Sequence, residues 1–252
     1  MLELAYVAYI GAGVLGASVG MDKVLFKDVM RTNNIPVVES VTVTRSQIQS
    51  SMNQVIAEIE KNLSFPVFVK PANLGSSVGI TKCRTRSDLF EGLLEAAQFD
   101  RRILVERGVN GREIEVSVLG NEDARASIAG EIRPCDDFYS YDAKYINEGS
   151  ELIIPAPIDA DTMQKVQEYS VKAYKAIDCA GMARVDFLLD RDTNEVYLNE
   201  VNTIPGFTKI SMYPKLWAAS GITYPELVQE LINLAMKRKA ERDATVRTYR
   251  SK

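Results

Sequence analysis

The chain has 252 residues, of which 46% are hydrophobic and 25% charged, so it can bury one large core or two small ones. Its net charge of -4 leaves no basic footprint for nucleic acid, and no apolar run reaches the roughly 18 residues of a membrane span. It contains no histidine, which excludes imidazole metal ligands, Ser-His-Asp and Cys-His catalysis and any histidine base.

In chain order, Gly11-Ala-Gly13-Val-Leu-Gly16 matches the dinucleotide fingerprint G-x-G-x-x-G. Only Met1–Ile10 precede it, and the residues before Glu39 end in Asn-Asn-Ile-Pro rather than in a second apolar strand, so a Rossmann site is not expected. Met21–Asn33 reads as a helix stopped by Asn33-Asn34-Ile35-Pro36. Ser46–Asn62 is a second helix with Val55, Ile56 and Ile59 on its apolar side. Pro66–Lys70 is a buried strand, followed by a Gly/Ser loop and a strand over Gly79–Lys82. Ser87–Gln98 is a helix opened by a Ser/Asp cap. Arg102–Glu106, Glu113–Leu119 and Ala124–Glu131 are strands. Arg133–Pro157 is rich in Pro, Asp, Tyr, Asn and Gly without periodicity, the pattern of a functional lid. Asp159–Ile177 is an amphipathic helix, Met212–Ala219 and Pro225–Lys237 are terminal helices, and Arg238–Lys252 is a charged tail expected to fray. Strands and helices interleaved in two batches predict two α+β lobes around a nucleotide-sized cleft.

The stretch Ala183–Gly206 carries the most chemistry. It reads as two strands joined by a polar turn at Arg191–Asn194. Side chains alternate across a strand, so Arg184, Asp186 and Leu188 share a face. A hairpin folded about Thr193 sets Asp186 opposite Glu200 and Arg184 opposite Asn202. The same face continues through Val196 and Leu198, and the other holds Val185, Phe187, Leu189, Tyr197 and Val201. Two carboxylates and an amide oxygen in one place are hard donors suited to Mg²⁺ shared with phosphate. A cross-strand salt bridge on a solvated face is the plainer alternative.

Lys70-Pro-Ala-Asn-Leu-Gly75-Ser76-Ser77-Val-Gly79 is a strand ending in lysine and then a loop whose backbone amides can meet phosphate oxygens. An ordinary surface turn is the alternative. Lys23 opens a helix and is by default solvated. Glu106 and Glu113 flank the turn Arg-Gly-Val-Asn-Gly, where a hinge could offer backbone bonds to adenine and a carboxylate to ribose; an exposed hairpin explains them equally. Lys144 and Tyr145 sit in the lid, and a merely solvated loop is the alternative there. Ser211 begins a helix, either as N-cap or as part of a carboxylate site at the helix N-terminus with Met212. Cys83, Cys135 and Cys179 read as structural reduced thiols, which fits the cytoplasm, as does the absence of a signal-peptide pattern in Met-Leu-Glu-Leu-Ala-Tyr.

Together, Tyr-Ile-Gly-x-Gly-Val-Leu, Met-Asp-Lys, Val-Lys-Pro-Ala-Asn-Leu-Gly-Ser-Ser-Val-Gly-Ile, Tyr-Asp-Ala-Lys-Tyr, Ala-Arg-Val-Asp-Phe, Leu-Asn-Glu-Val-Asn-Thr-Ile-Pro-Gly-Phe-Thr and Ser-Met-Tyr-Pro-Lys-Leu-Trp resemble the D-alanine–D-alanine ligases of the ATP-grasp superfamily. The likeness runs in order over nearly the whole chain. It implies an α+β ATP-grasp fold, with residues 1–20 a remnant of an N-terminal domain and connector. Residues 21–109 would be a central lobe and 110–252 a C-terminal lobe whose lid lies near 133–157.

The resemblance also implies roles. Lys23 and Lys70 would hold ATP phosphates under a loop carrying Ser76 and Ser77. Glu106 and the hinge to Val109 would meet adenine, and Glu113 the ribose. Asp186, Glu200 and Asn202 would hold Mg²⁺, with Mn²⁺ as an alternative. Arg184 and the Gly206 amide would stabilise oxyanion charge, Lys144 would reach the nucleotide, Tyr145 and Ser76 would position substrate, and Ser211 with the Met212 amide would take the second substrate's carboxylate. The implied reaction joins two D-alanine molecules through an acyl phosphate, for peptidoglycan precursors. D-alanine–D-lactate ligation and a nucleotide-binding module without ligase activity are the rivals. D-alanine and ATP are the expected small-molecule partners, with a homodimer or a separate N-terminal domain. The resemblance implies a further N-terminal domain ahead of this sequence, with the chain a fragment, the domain supplied elsewhere or the domain lost as the alternatives, and Lys209 stands where a small hydroxyl residue is expected.

Overall fold

The computed structural model describes residues 1–133 and 151–246. Its strands form two antiparallel sheets. The first has the order β1-β4-β2-β3, from β1 (Ser40–Thr44), β2 (Val67–Pro71), β3 (Thr81–Cys83) and β4 (Arg102–Arg107). Alternation decides its faces. Val67, Val69, Cys83, Ile103 and Val105 point to one side. There they pack on Val55, Ile56 and Ile59 of α3 (Arg45–Asn62) and on Leu89, Leu93 and Ala96 of α4 (Arg86–Phe99). Capping boxes start both helices: Thr44 with Gln47, and Thr85 with Asp88. The α4 cap is therefore Thr85, two residues before the expected Ser87.

The second sheet has the order β7-β6-β5-β8-β9, from β5 (Gly111–Gly120), β6 (Arg125–Arg133), β7 (Glu151–Ile153), β8 (Gly181–Asp190) and β9 (Val196–Asn202). Its core face gathers Ile114, Val116, Val185, Phe187 and Val201. Against it lie Val166, Ala173 and Tyr174 of α5 (Ala160–Ala176), Val19 of α1 (Val14–Met21), and Phe26 and Met30 of α2 (Lys23–Thr32). One end of the opposite face is roofed by α6 (Met212–Ala219) and α7 (Tyr224–Ala244), where Leu119 and Met182 meet Tyr213, Trp217 and Leu227. The other end of that face is the candidate site.

Three expectations change. The β8–β9 ladder pairs Asp186 with Glu200 but Phe187 with Leu198, so Asn199 is a bulge residue. Beyond the bulge every β9 side chain switches face. Val196 and Leu198 join the core, and Tyr197 turns to the carboxylate side opposite Leu188. Next, the last part of the expected lid is strand β7, paired with β6; residues 134–150, including Lys144 and Tyr145, lie outside the described residues. Finally, the charged tail does not fray at Arg238. Helix α7 runs on to Ala244, with Arg238 Nη1 donating to the Gly11 carbonyl at 3.1 Å and Arg242 Nη1 to Glu3 at 2.7 Å.

The G-x-G-x-x-G match is a packing device. Gly13 is the N-cap of α1 with no strand before it, and a Cβ on Gly16 would stand 2.8 Å from the Asp178 carbonyl and 2.9 Å from that of Ile177. Among the described residues no helix is long and apolar enough to cross a membrane.

Candidate functional site

On the second sheet the pairing builds rows of side chains on one face. Glu113, Leu188 and Tyr197 form one row, Glu115, Asp186 and Glu200 the next, and Ser117, Arg184 and Asn202 the third. The expected trio is together: Asn202 Nδ2 donates to Asp186 Oδ2 at 2.9 Å and to Glu200 Oε1 at 3.2 Å. Arg184 grips Asp186 with two bonds of 2.7 Å, from Nε and Nη2. Its Nε also lies 3.1 Å from Glu115. Burial works against the guanidinium charge, yet Asp186 and Glu115 hold Arg184 well above its ordinary value.

Glu115 was not singled out by the sequence. It is 4% exposed, and burial followed by the Asp186 charge pushes its carboxyl well above the usual carboxylate range. The signal was present: in Glu113-Ile-Glu115 the two acids share a strand face. Three carboxylates then crowd around one arginine. Among the described residues no three His, Cys, Asp or Glu side chains have metal-cluster spacing. The candidate donor set is two carboxylates and an amide, oxygen donors of the kind a hard divalent cation takes.

Helix α6 is fixed over this face by its contacts. Ser117 Oγ donates to the Tyr213 carbonyl at 3.2 Å, and a Cβ on Gly130 would stand 3.0 Å from Leu216 and 3.1 Å from Met212 Sδ. The helix N-terminus therefore points beside the carboxylate rows. Ser211 holds the N-cap position without a side-chain cap bond. Its hydroxyl instead accepts from the Thr208 amide at 3.0 Å and bonds the Thr208 hydroxyl at 2.9 Å. A Cβ on Gly206 would lie 2.8 Å from Ser211 Oγ, so this glycine lets the chain pass close to that hydroxyl.

The first sheet contributes the cations. Phe68 pairs with Glu106 and with Lys82, and Lys70 follows two residues on, so these side chains occupy the face away from the core. Glu106 is 4% exposed and is bridged by two lysines, Lys27 at 2.6 Å and Lys70. Burial alone would raise its pKa, but the ammonium groups of Lys70 and Lys27 overcome that and hold it at about 2. Lys27 escaped the sequence reading. It lies four residues after Lys23, on the same side of α2, and its Nζ also donates to the Val38 carbonyl at 3.0 Å. Burial draws Lys27 below its ordinary range despite Glu106.

Lys23 stands at the start of α2, where Asp22 caps the helix by accepting from the Leu25 amide. Its ammonium meets the Leu74 carbonyl, tying the helix to the Gly75–Gly79 loop. Burial lowers its pKa, and the charges that act on it most are Glu200, Lys70 and Glu106. Glu200 belongs to the second sheet and Lys70 to the first, so Lys23 marks where the two faces converge. In the loop, Ser76 (φ +54°), Ser77 (φ +59°) and Gly79 (φ +68°) are left-handed, which for two serines costs of order 1 kcal/mol each. Among the described residues a Cβ on Gly75 would meet nothing within 4 Å. At the hinge, the Arg107 and Gly108 amides donate to Glu39 and Pro66 carbonyls, and Val109 and Glu113 are half-buried beyond them.

Comparison with known proteins covers both sheets. A family model described as the D-ala D-ala ligase C-terminus matches residues 29–233. A D-alanine–D-alanine ligase of Ruminiclostridium cellulolyticum is 51% identical over 240 residues, 94% of this chain and 64% of that protein. The one from Clostridium acetobutylicum is 52% identical over 238 residues, 94% of this chain and 69% of its own length. Among solved structures, the D-alanine–D-alanine ligase from Coxiella burnetii superposes with a TM-score of 0.83 at 37% identity, over 96% of this chain and 64% of that one. The VanG D-Ala:D-Ser ligase from Enterococcus faecalis gives 0.83 at 36% identity, over 92% and 66%. The chain thus spans about two thirds of the length of the proteins it matches.

Proposed function

The chain belongs to the D-alanine–D-alanine ligase family and shares its ATP-grasp fold, and from that premise we propose that it binds Mg-ATP between its two sheets and serves the ATP-dependent joining of two D-alanine molecules. The observation that carries this reading is Lys23, which meets the strained Gly/Ser loop on one side and feels Glu200 on the other. A triphosphate laid there meets lysines along one flank and the carboxylate row along the other.

In this reading residues 21–109 form the nucleotide-holding lobe and 110–252 the lobe of the chemistry, with residues 1–20 as connector. Lys23, Lys70 and the Ser76–Ser77 amides hold the phosphates. The hinge through Glu106 and Val109 meets the adenine, and Glu113 meets the ribose. The Glu106 carboxylate itself keeps Lys70 in place, since both its oxygens are engaged by lysines. Asp186, Glu200 and Asn202 would hold Mg²⁺ or Mn²⁺ through their side-chain oxygens. A bound Mg²⁺ neutralises phosphate charge and aligns the terminal phosphoryl group.

The carboxylate of one D-alanine attacks that phosphorus and ADP leaves. The amine of a second D-alanine then attacks the acyl carbon of the acyl phosphate, inorganic phosphate leaves, and the proton shed by the amine passes to that phosphate. Arg184 and the Gly206 amide stabilise the oxyanion between attack and departure. Ser211 and the Met212 amide hold the second D-alanine by its carboxylate at the α6 N-terminus. Lys144 and Tyr145 are assigned to the nucleotide and the substrate on sequence grounds. The catalysis is positioning and charge neutralisation, chemistry that a chain without histidine can perform. Cytoplasmic location, peptidoglycan precursor synthesis and homodimer formation complete the proposal.

The test is ATP titration with and without Mg²⁺, followed by phosphate release with and without D-alanine. The expected result is tighter nucleotide binding with Mg²⁺ and phosphate release that requires D-alanine and yields dipeptide. Nucleotide affinity indifferent to Mg²⁺ would overturn the cleft assignment. Binding without D-alanine-dependent release would overturn the ligation and leave a nucleotide-binding module.

A further inference from the structure

Arg184 presents a conflict within the proposed site. Its Nε and Nη2 occupy both oxygens of Asp186, the carboxylate that the proposed function gives to a divalent cation. Asp186 Oδ2 also accepts from Asn202 Nδ2 at 2.9 Å, so a cation that draws on these oxygens competes with bonds Asp186 already makes, the guanidinium's among them. If Asp186 turned away with nothing in its place, a largely buried guanidinium would lose its partner, and that loss is expensive.

The structure holds a second seat. Glu115 lies directly across from Asp186 on β5, in the same row, and its Oε2 is 3.1 Å from Arg184 Nε. That oxygen is buried, and among the described residues it has no hydrogen bond, because the contact with Arg184 lacks the alignment of one. It is an acceptor already within reach and not yet used. The residue across from Arg184 itself, Ser117, donates its hydroxyl proton to the Tyr213 carbonyl and carries no charge to balance a guanidinium. No other described carboxylate in the rows is in ion-pair contact with Arg184.

We infer that Glu115 is a positioning residue, the alternative anchor that keeps Arg184 on the cleft face when Asp186 turns to a divalent cation. The inference rests on the proposed cation site. A small rotation of the guanidinium converts the 3.1 Å contact into a hydrogen bond and frees an Asp186 oxygen. Arg184 stays fixed through the exchange. Glu115 touches neither the cation nor the substrate and acts through Arg184 alone.

This makes Glu115 separable from a carboxylate that merely adds negative charge to the site. The experiment is a double-mutant cycle read as the dissociation constant of Mn²⁺, followed by electron paramagnetic resonance on protein saturated with ADP. Glu115→Leu removes both acceptor oxygens at similar volume, and its folding is checked by thermal unfolding. In the parent it should weaken Mn²⁺ about tenfold, as losses of outer-shell partners do, because Asp186 stays with Arg184. In an Arg184→Ala background the same substitution should change Mn²⁺ affinity by less than about twofold, since there is no guanidinium left to relocate. Equal weakening in both backgrounds would mean that Glu115 acts by charge or as a ligand, and would overturn the inference. So would unchanged Mn²⁺ affinity in the single variant. A parent protein that binds no Mn²⁺ would bring down the proposed function as well, which distinguishes the two failures.

Discussion

The two sheets turn opposite charge toward the same space, and they balance it differently. On the first, Lys23, Lys27 and Lys70 surround one carboxylate, Glu106. On the second, Glu115, Asp186 and Glu200 surround one arginine, Arg184. Lysines outnumber the carboxylate on one side and carboxylates outnumber the arginine on the other, and burial raises the cost of each charge. The surplus lysines suit phosphate oxygens and the surplus carboxylates suit a divalent cation. The difference teaches that the two flanks answer opposite charge, as the proposed Mg-ATP would present to them.

The largest effect should come from the acidic flank. Glu200→Gln keeps the shape of a half-buried side chain and removes a proposed cation ligand. Steady-state assays should show Mg²⁺-dependent turnover falling by more than roughly 100-fold, beyond what outer-shell losses produce, with the unfolding temperature nearly unchanged. Turnover near that of the parent would remove Glu200 from the cation site and dissolve the contrast between the flanks.

The basic flank should respond through binding and stability together. Lys70→Ala strips one of the two cations from a buried carboxylate. Denaturant unfolding should register a loss of about 3 kcal/mol, because Glu106 is left under-compensated. Titration calorimetry should show ATP weakened at least tenfold. Unaltered ATP affinity in a destabilised protein would make Lys70 a structural partner of Glu106 only.

A pH series isolates Glu106 itself. Its folded pKa of about 2 lies below the ordinary 4.5 of a glutamate. A depressed carboxylate stabilises the folded state above the unfolded pKa, and that stability drains away as pH falls through the folded value. The contribution should therefore be complete above about pH 5 and lost between there and about pH 2, amounting to about 3 kcal/mol. Glu106→Gln should flatten that segment of the stability curve. A variant that loses stability over the same range as the parent would assign the acid sensitivity to other carboxylates.

Much of this contrast is legible in the sequence, and the gaps have physical causes. The hairpin rows follow from a period of two, so the pairing of Asp186 with Glu200 and of Arg184 with Asn202 could be written down from Ala183–Gly206 alone. The period breaks at Asn199, because a bulge leaves no mark in composition, and Val196, Tyr197 and Leu198 therefore change face. Lys23 and Lys70 stand out beside glycines and prolines. Lys27 looked like one more helix lysine, although its spacing from Lys23 carried the signal. Glu115 was hidden in the same way inside a strand that reads as ordinary. Charge gathered from two distant segments has no local pattern, and both missed residues are partners of groups far along the chain. Arg238 and Arg242 repeat the lesson, since their partners Gly11 and Glu3 lie at the opposite end of the sequence.

The smallest effect should fall on the seam between the carboxylate rows and α6. Gly130 pairs with Glu115, and its missing side chain lets Leu216 and Met212 settle against the sheet. A Cβ there would approach flexible side-chain ends at 3.0 and 3.1 Å, which can give way, so Gly130→Ala should be nearly silent. Gly130→Val adds branches that cannot be absorbed so easily and should cost about 1–2 kcal/mol as overpacking. The displaced part is the first turn of α6, which carries Ser211 and Met212, whereas the lysine flank is untouched. The KM for D-alanine should therefore rise several-fold while that for ATP holds. A change confined to ATP would mean that α6 serves the nucleotide, and the division of labour between the two sheets would have to be redrawn.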